Sequence, residues 1–278
     1  MQHINIQTEH VPVLGYGTWQ LKGKGCIEGI QKAIDAGYRH IDTAQAYGNE
    51  EDVGKGIDKS GIERQEIFLT TKVWMENFSA DKFEKSVDES LDKLQTDYVN
   101  MLLLHWPPEN DRMEEALDQL IEVKKSGKAR LIGVSNFTIE LLERAVKKTN
   151  TVIATNQIEF HPEIDQGPVH EWLRRHNMFL TGYSPLARGG VLKNHVIEKI
   201  AKHHDKDAGQ VVLRWAIQHD RVAVIPKAAS PEHIESNFDI FDFELSNEEM
   251  DKISSLARED GRKVDPEWAP DWDTAKAA

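Results

Sequence analysis

Four residues able to move a proton between them, Asp42, Tyr47, Lys72 and His105, stand at or just beyond the ends of short apolar runs. Asp42 closes the alternating stretch Tyr38–Asp42 in GYRHIDTAQAYGNEEDVG, and Tyr47 follows after a loop of small residues. Lys72 falls near the end of IFLTTKVW, and His105 near the end of YVNMLLLHWP. A phenol titrates near ~10 in water, so Tyr47 is protonated at neutral pH and alone is a poor acid. A cation beside it favours the phenolate, and Lys72 is the cation available, so a lowered pKa is expected. Asp42 would keep that lysine charged and placed, while His105 would hydrogen-bond a substrate carbonyl oxygen. Such a set delivers a proton to a carbonyl that is receiving a hydride. None of the four can supply the hydride, which implies a nicotinamide cofactor.

The set works only if the strands that carry it end on one rim. HINIQ and VPVLGYG read as a hairpin leading into a first strand. A helix follows over GKGCIEGIQKAIDAGY, with Ile27, Ile30, Ala33 and Ile34 on one face and Gly37 as its stop. Its glycines lack GxGxxG spacing, which excludes a dinucleotide fingerprint there. Asn49, followed by acidic residues, is an N-cap signal for the next helix. Apolar runs then alternate with amphipathic stretches to the end of the chain. Eight near-continuous apolar strands in 278 residues predict a parallel sheet wrapped by helices. At this length they fit a closed (β/α)8 barrel, in one domain over 1–278.

In such a barrel, chemistry gathers at the C-terminal ends of the strands. From the second strand to the eighth, those ends present Asp42, Lys72, His105, Ser135 with Asn136, Asn156 with Gln157, Tyr183 with Ser184, and Lys227. One polar strand end is usually a satisfied hydrogen bond; seven on one rim make a site. Trp19, Trp74 and Trp106 flank it and are expected to wall an apolar substrate pocket. Tyr183 is placed to stack on a nicotinamide ring.

Composition excludes other classes. The net charge of −13 argues against nucleic acid and anionic membranes as partners. No run approaches the length of a membrane span, and MQHINIQTEH has no signal-peptide pattern. A lone cysteine, Cys26, makes no internal disulfide, so a cytoplasmic protein is expected. His203, His204 and Asp205 share a helix, His161 stands alone, and HExxH is missing, so no metal site is expected.

The chain resembles the aldo-keto reductases, in particular the bacterial branch of 2,5-diketo-gluconate and glyoxal/methylglyoxal reductases. The resemblance rests on GYRHIDTAQAYGNEEDVG, LLLHWP, GVSNF, NQIEFHP, YSPLA and VIPKAASPEHIESN, which follow in the family's order across nearly the whole chain. It implies a (β/α)8 barrel that reduces aldehydes and ketones with NADPH bound without a Rossmann motif. It gives Tyr47 the acid role, Lys72 and Asp42 its tuning, and His105 the orientation of substrate. It sets Ser135, Asn136 and Gln157 against the nicotinamide carboxamide, with Tyr183 stacked on the ring. Gly17, Thr18, Trp19, Asp42, Ser184, Leu186 and Ile225 complete the implied cofactor contacts near the rim. Lys227, Ala228, Ala229, His233 and Asn237 would grip the adenosine end. Trp19, Tyr47, Trp74, His105 and Trp106 form the implied substrate pocket.

Departures cluster at the adenosine end. The family pattern has Ser, Arg and Glu where this chain has Ala228, His233 and Ser236. Arginine forks onto a 2′-phosphate, whereas neutral histidine does not. NADPH use with weakened discrimination against NADH is therefore expected. The short SPLARGGVLKN and the short tail suggest an open pocket and broad range, with Trp268 and Trp272 as lining or packing. A monomer acting on a small carbonyl compound is expected. Two rivals remain: a nucleotide-binding regulatory subunit of the same fold, and a Schiff-base aldolase using Lys72.

Overall fold

The computed structural model describes residues 2–108, 112–150 and 152–273. Strands β1 (His3–Ile6) and β2 (Glu9–Pro12) form an antiparallel hairpin. Eight parallel strands follow: β3 (Tyr16–Gly17), β4 (His40–Asp42), β5 (Phe68–Val73), β6 (Val99–Leu104), β7 (Ala129–Ser135), β8 (Ile153–Glu159), β9 (Phe179–Tyr183) and β10 (Val222–Val224). Each pairs with the next in chain order. A bridge between Leu14 and Val224, with Gly15 N–H donating to the Val224 carbonyl, joins the first strand to the last. The eight-stranded sheet closes there into a barrel. Every residue of β5, β6 and β8 is buried, as strands covered on both faces must be. The sequence reading started the β8 strand at Thr151, which lies outside the described residues.

The helices are α1 (Gly23–Ala36), α2 (Glu50–Lys59), α3 (Ala80–Leu94), α4 (Met113–Lys125), α5 (Ile139–Thr149), α6 (Gly167–Arg175), α7 (His195–His204), α8 (Ala208–Gln218), α9 (Pro231–Phe238) and α10 (Asn247–Ser254). In α1, Cys26, Gly29, Ile30, Ala33 and Ile34 are buried, one stripe at helical spacing. Gly37 ends it at φ 111°, and a Cβ there would also strike the Phe238 ring at 2.6 Å. Only glycine meets both demands.

The hairpin marks the end of the barrel away from the chemistry. Gln7 Nε2 donates to the Val152 carbonyl, and Asn100 Nδ2 donates to Glu9, contacts with residues at the start of β8 and β6. At the opposite end the segment after α10 returns over the rim. Trp272 lies 6.2 Å from Trp106 between ring centres, and Asp273 accepts from Ile139 N–H at 2.9 Å.

Candidate active site

Asp42 ends β4 with its carboxylate turned into the barrel, where both oxygens are committed. Lys72 Nζ donates to Oδ1 at 2.5 Å, and Gln157 Nε2 donates to Oδ2 at 2.8 Å. Lys72 is fully buried, and its other protons reach the Thr43 carbonyl at 2.8 Å and Tyr47 Oη at 3.4 Å. Burial alone would lower the lysine pKa; the Asp42 carboxylate and Tyr47 overcome it and raise it. Lys72 is thus a fixed ammonium with no free amine to form a Schiff base, which removes the structural basis for the aldolase reading.

Tyr47 closes a short 3-10 turn, Gln45–Tyr47, held from several sides. Gln45 accepts from Trp74 N–H at 2.9 Å and donates to Ser86 and Ser90 on α3. Asn49 occupies the N-cap position of α2, but its side chain does not cap. It donates to the Thr18 and Leu21 carbonyls, both at 2.9 Å, and accepts from Thr43 Oγ1 at 2.8 Å. This residue therefore fastens the loop after β3 to the loop after β4. The expected downward shift of Tyr47 does not hold. Burial raises its pKa by more than the Lys72 charge lowers it, so the phenol keeps its proton more firmly than a free tyrosine.

His105, just past β6, meets Tyr47 edge-on at 5.6 Å and Trp74 at 5.2 Å between ring centres. Burial first, then the Lys72 charge, holds its pKa well below the usual imidazole range, so it is neutral. Its Nδ1 is buried and has no partner among the described residues. Beside it, Asn136 takes up φ 64°, a left-handed conformation that asparagine tolerates. Its Nδ2 donates to the His105 carbonyl at 3.1 Å, and its Oδ1 accepts from Tyr183 Oη at 2.8 Å. Ser135 Oγ donates to the Gln157 carbonyl at 2.7 Å. The strand-end residues thus brace one another.

These groups line a cleft of about 280 Å³. Gly17, Thr18, Trp19, Asp42, Tyr47, Trp74, His105, Trp106, Ser135, Asn136, Gln157, Tyr183, Ser184, Ile225 and Lys227 all face it, as the sequence reading places them. Lys72 stands just behind. Leu186, Ala228, Ala229, His233 and Asn237 do not line it: Ala228 and Asn237 are buried, while Ala229 and His233 are exposed on the approach to α9 and on α9 itself. Asn156 turns away, its Oδ1 and Nδ2 on the Phe137 backbone. Trp268 is exposed, and Trp272 packs on Trp106 and under Arg262, so neither is pocket lining.

The sequence reading missed Ala46, Arg188 and Val264 in the lining. Val264 is there because Glu159, at the end of β8, is fully buried and accepts from Lys263 N–H and Val264 N–H. Gly261 approaches Glu163 so closely that a Cβ would run into its carbonyl oxygen. Pairings across about a hundred residues leave no local signal. Only the polar Glu159 inside an apolar strand hinted at a partner.

The cleft fits a nicotinamide on the chemistry of its donors. Amide and hydroxyl groups at Ser135, Asn136 and Gln157 match a carboxamide, the Tyr183 ring supplies a flat face, and Lys227 has no ion-pair partner among the described residues. The profile of the Aldo/keto reductase family matches residues 13–258. The chain belongs to the aldo/keto reductase family. It is an oxidoreductase, and carbonyl reduction with NADPH is the reaction of this family. Methylglyoxal reductase DkgB of Escherichia coli O157:H7 is 44% identical over 267 residues, covering 95% of this chain and 99% of that protein. The crystal structure of a putative 2,5-diketo-D-gluconic acid reductase B superposes with a TM-score of 0.92 at 47% identity, covering 95% of this chain and 94% of that one. An NADPH complex of a Gox0644 mutant superposes with a TM-score of 0.88 at 38% identity, covering 92% and 93%. Among the described residues of this aldo/keto reductase, no helix is long and apolar enough to cross a membrane.

Proposed function

We propose that this enzyme reduces small carbonyl compounds to alcohols, with Tyr47 handing a proton to the carbonyl oxygen. The class includes α-ketoaldehydes, keto-sugars and small or aromatic aldehydes. NADPH, when bound, supplies the hydride. One observation carries the roles: the Tyr47 phenol and the neutral His105 imidazole pack edge-on in the lining of a cleft backed by the Asp42–Lys72 pair. The carbonyl oxygen sits between phenol and imidazole, where both polarise it. Lys72 stabilises the negative charge that develops on Tyr47 as the proton leaves, and Asp42 keeps Lys72 charged and in position. Ser135, Asn136 and Gln157 would hold the carboxamide, and the Tyr183 ring would supply a face for the nicotinamide. Trp19, Trp74 and Trp106 wall the substrate side, where Trp19 is 43% exposed and leaves the mouth open to varied substrates. Lys227 takes a phosphate, and His233 in place of arginine allows NADH as well. The whole chain acts as one domain and a cytoplasmic monomer, which light scattering on the purified protein tests for the monomer.

The test is loss of nicotinamide absorbance with methylglyoxal, with NADPH and NADH in parallel, for wild type and Tyr47→Phe. Wild type should consume NADPH, and the variant should lose about 10²–10⁴ in kcat. A variant within tenfold of wild type sinks the proton-donor role. If neither cofactor is consumed with a panel of aldehydes and keto-sugars, a nucleotide-binding regulatory subunit becomes the better reading.

A further inference from the structure

Far along the chain from the catalytic residues, the last turn of α7 and the first turns of α10 meet through three side chains. His203 Nδ1 and His204 Nε2 both lie 3.0 Å from one atom, Glu249 Oε1. Adjacent helical residues point about 100° apart, yet these two rings lie 4.8 Å apart and converge on that oxygen. The other carboxylate oxygen is already held, accepting from Ser246 N–H at 2.8 Å and Ser246 Oγ at 2.9 Å in the α10 capping box. The carboxylate is therefore oriented from behind with one oxygen presented, the arrangement that outer-shell partners give a metal ligand. Burial opposes its charge, but hydrogen bonds from both histidines and Ser246 hold the Glu249 pKa down at about 2.

We propose that His203, His204 and Glu249 form a divalent transition-metal site of the zinc class. The three ligand atoms lie within 4.8 Å of one another. Ligands around a tetrahedral ion at ~2.0–2.1 Å stand roughly 3.3 Å apart, so small ring rotations complete the site, with water in the fourth position. Two imidazoles and one carboxylate suit zinc over magnesium or calcium, which take shells of oxygen. The His203 side chain is 74% exposed and leaves an entry path, while His204 and Glu249 are only 15% and 12% exposed. From the sequence no metal is expected, since His203, His204 and Asp205 share one helix and HExxH is missing; the fold brings Glu249 to the two histidines from a helix more than forty residues on. An ion there would tie α10, and so the base of the tail that supplies Val264 to the cleft, to α7.

The untagged chain, stripped with EDTA and dialysed, would be titrated with zinc chloride by calorimetry, and with cobalt chloride while visible absorbance is followed. One saturable zinc site is expected, with no uptake of magnesium. Cobalt should give bands of tetrahedral intensity. His203→Ala and Glu249→Gln should each weaken zinc by about 100-fold and abolish the cobalt bands, while their NADPH turnover shows that they are folded. No saturable uptake by wild type, or equal uptake by both variants, overturns the proposal. If Glu249→Gln does not fold, His203→Ala, altered at an exposed side chain, decides alone.

Discussion

The catalytic centre and the exposed approach to α9, the proposed adenosine contact, are built on opposite terms. At the catalytic end, Asp42, Lys72, Gln157 and Thr43 are buried and bonded to one another. At the proposed adenosine contact, Lys227, Ala229 and His233 are exposed, and Ala228 offers only a carbonyl, used by Tyr16 at 2.7 Å. Ser236 donates to Asp207. A buried charge network fails as a unit, because removing one member strands the others in low dielectric. Exposed contacts change singly and at small cost. On the proposed roles, catalysis is structurally locked, whereas cofactor choice is open to single substitutions.

The sharpest way to break that contrast is Lys72→Met, which leaves Asp42 charged with no cation beside it. Stability should fall by about 3–5 kcal/mol in denaturant unfolding, and kcat by roughly 10²–10⁴. The double variant Asp42→Asn/Lys72→Met buries no charge and should recover most of the stability but none of the turnover. The same pair sharpens the pH profile. Burial already lifts the Tyr47 pKa above its ordinary ~10 against the opposing Lys72 charge. Wild-type kcat should therefore stay flat between about pH 7 and 9 and fall only where the phenol ionises, above ~10. A descending limb centred below pH 9 would mean that the lysine charge outweighs burial. A single variant Lys72→Met within about 1 kcal/mol of wild type would mean that water reaches the pair, and the locked description of this end fails.

Glu159→Gln probes the region between the two extremes, the tail. The carboxylate accepts from His161 at 2.9 Å and from two backbone N–H groups of the tail. A glutamine turns an N–H₂ toward donors and should cost about 1–3 kcal/mol. With Val264 loosened, KM for the carbonyl substrate should rise several-fold with a smaller change in kcat, and the Kd for NADPH should hold. An unchanged KM would show that the tail does not shape the pocket.

The same contrast explains what could be read from the sequence. The rim residues stand at the ends of apolar runs such as Phe68–Val73, so period and position alone brought Asp42, Lys72, His105 and Gln157 together. Asn49 shows the limit. Its spacing signals a cap, and it holds the N-cap position, but three buried groups of the loops after β3 and β4 compete for its side chain and win. The downward shift expected for Tyr47 counted the nearby charge but not the depth of burial, which only packing reveals. Val264, and the meeting of His203 and His204 with Glu249, depend on chain returns with no local pattern.

The smallest expected effect lies at the open end, in His233→Arg. His233 heads α9 with its backbone N–H on Ser230 Oγ and its side chain in solvent, so substitution there disturbs no packing. An arginine adds a permanent charge and a planar fork suited to a phosphate. In solvent such a contact gives about 1 kcal/mol or less, so the preference for NADPH over NADH should rise by up to roughly fivefold. Stability and kcat with saturating NADPH should be unchanged. Fluorescence titration of both cofactors, at low and high salt, reads the effect: the gain should fall on NADPH alone and shrink as salt rises. Equal tightening of both cofactors would place the arginine on the shared pyrophosphate. Position 233 would then not govern the choice between them, and the open end would discriminate through Lys227.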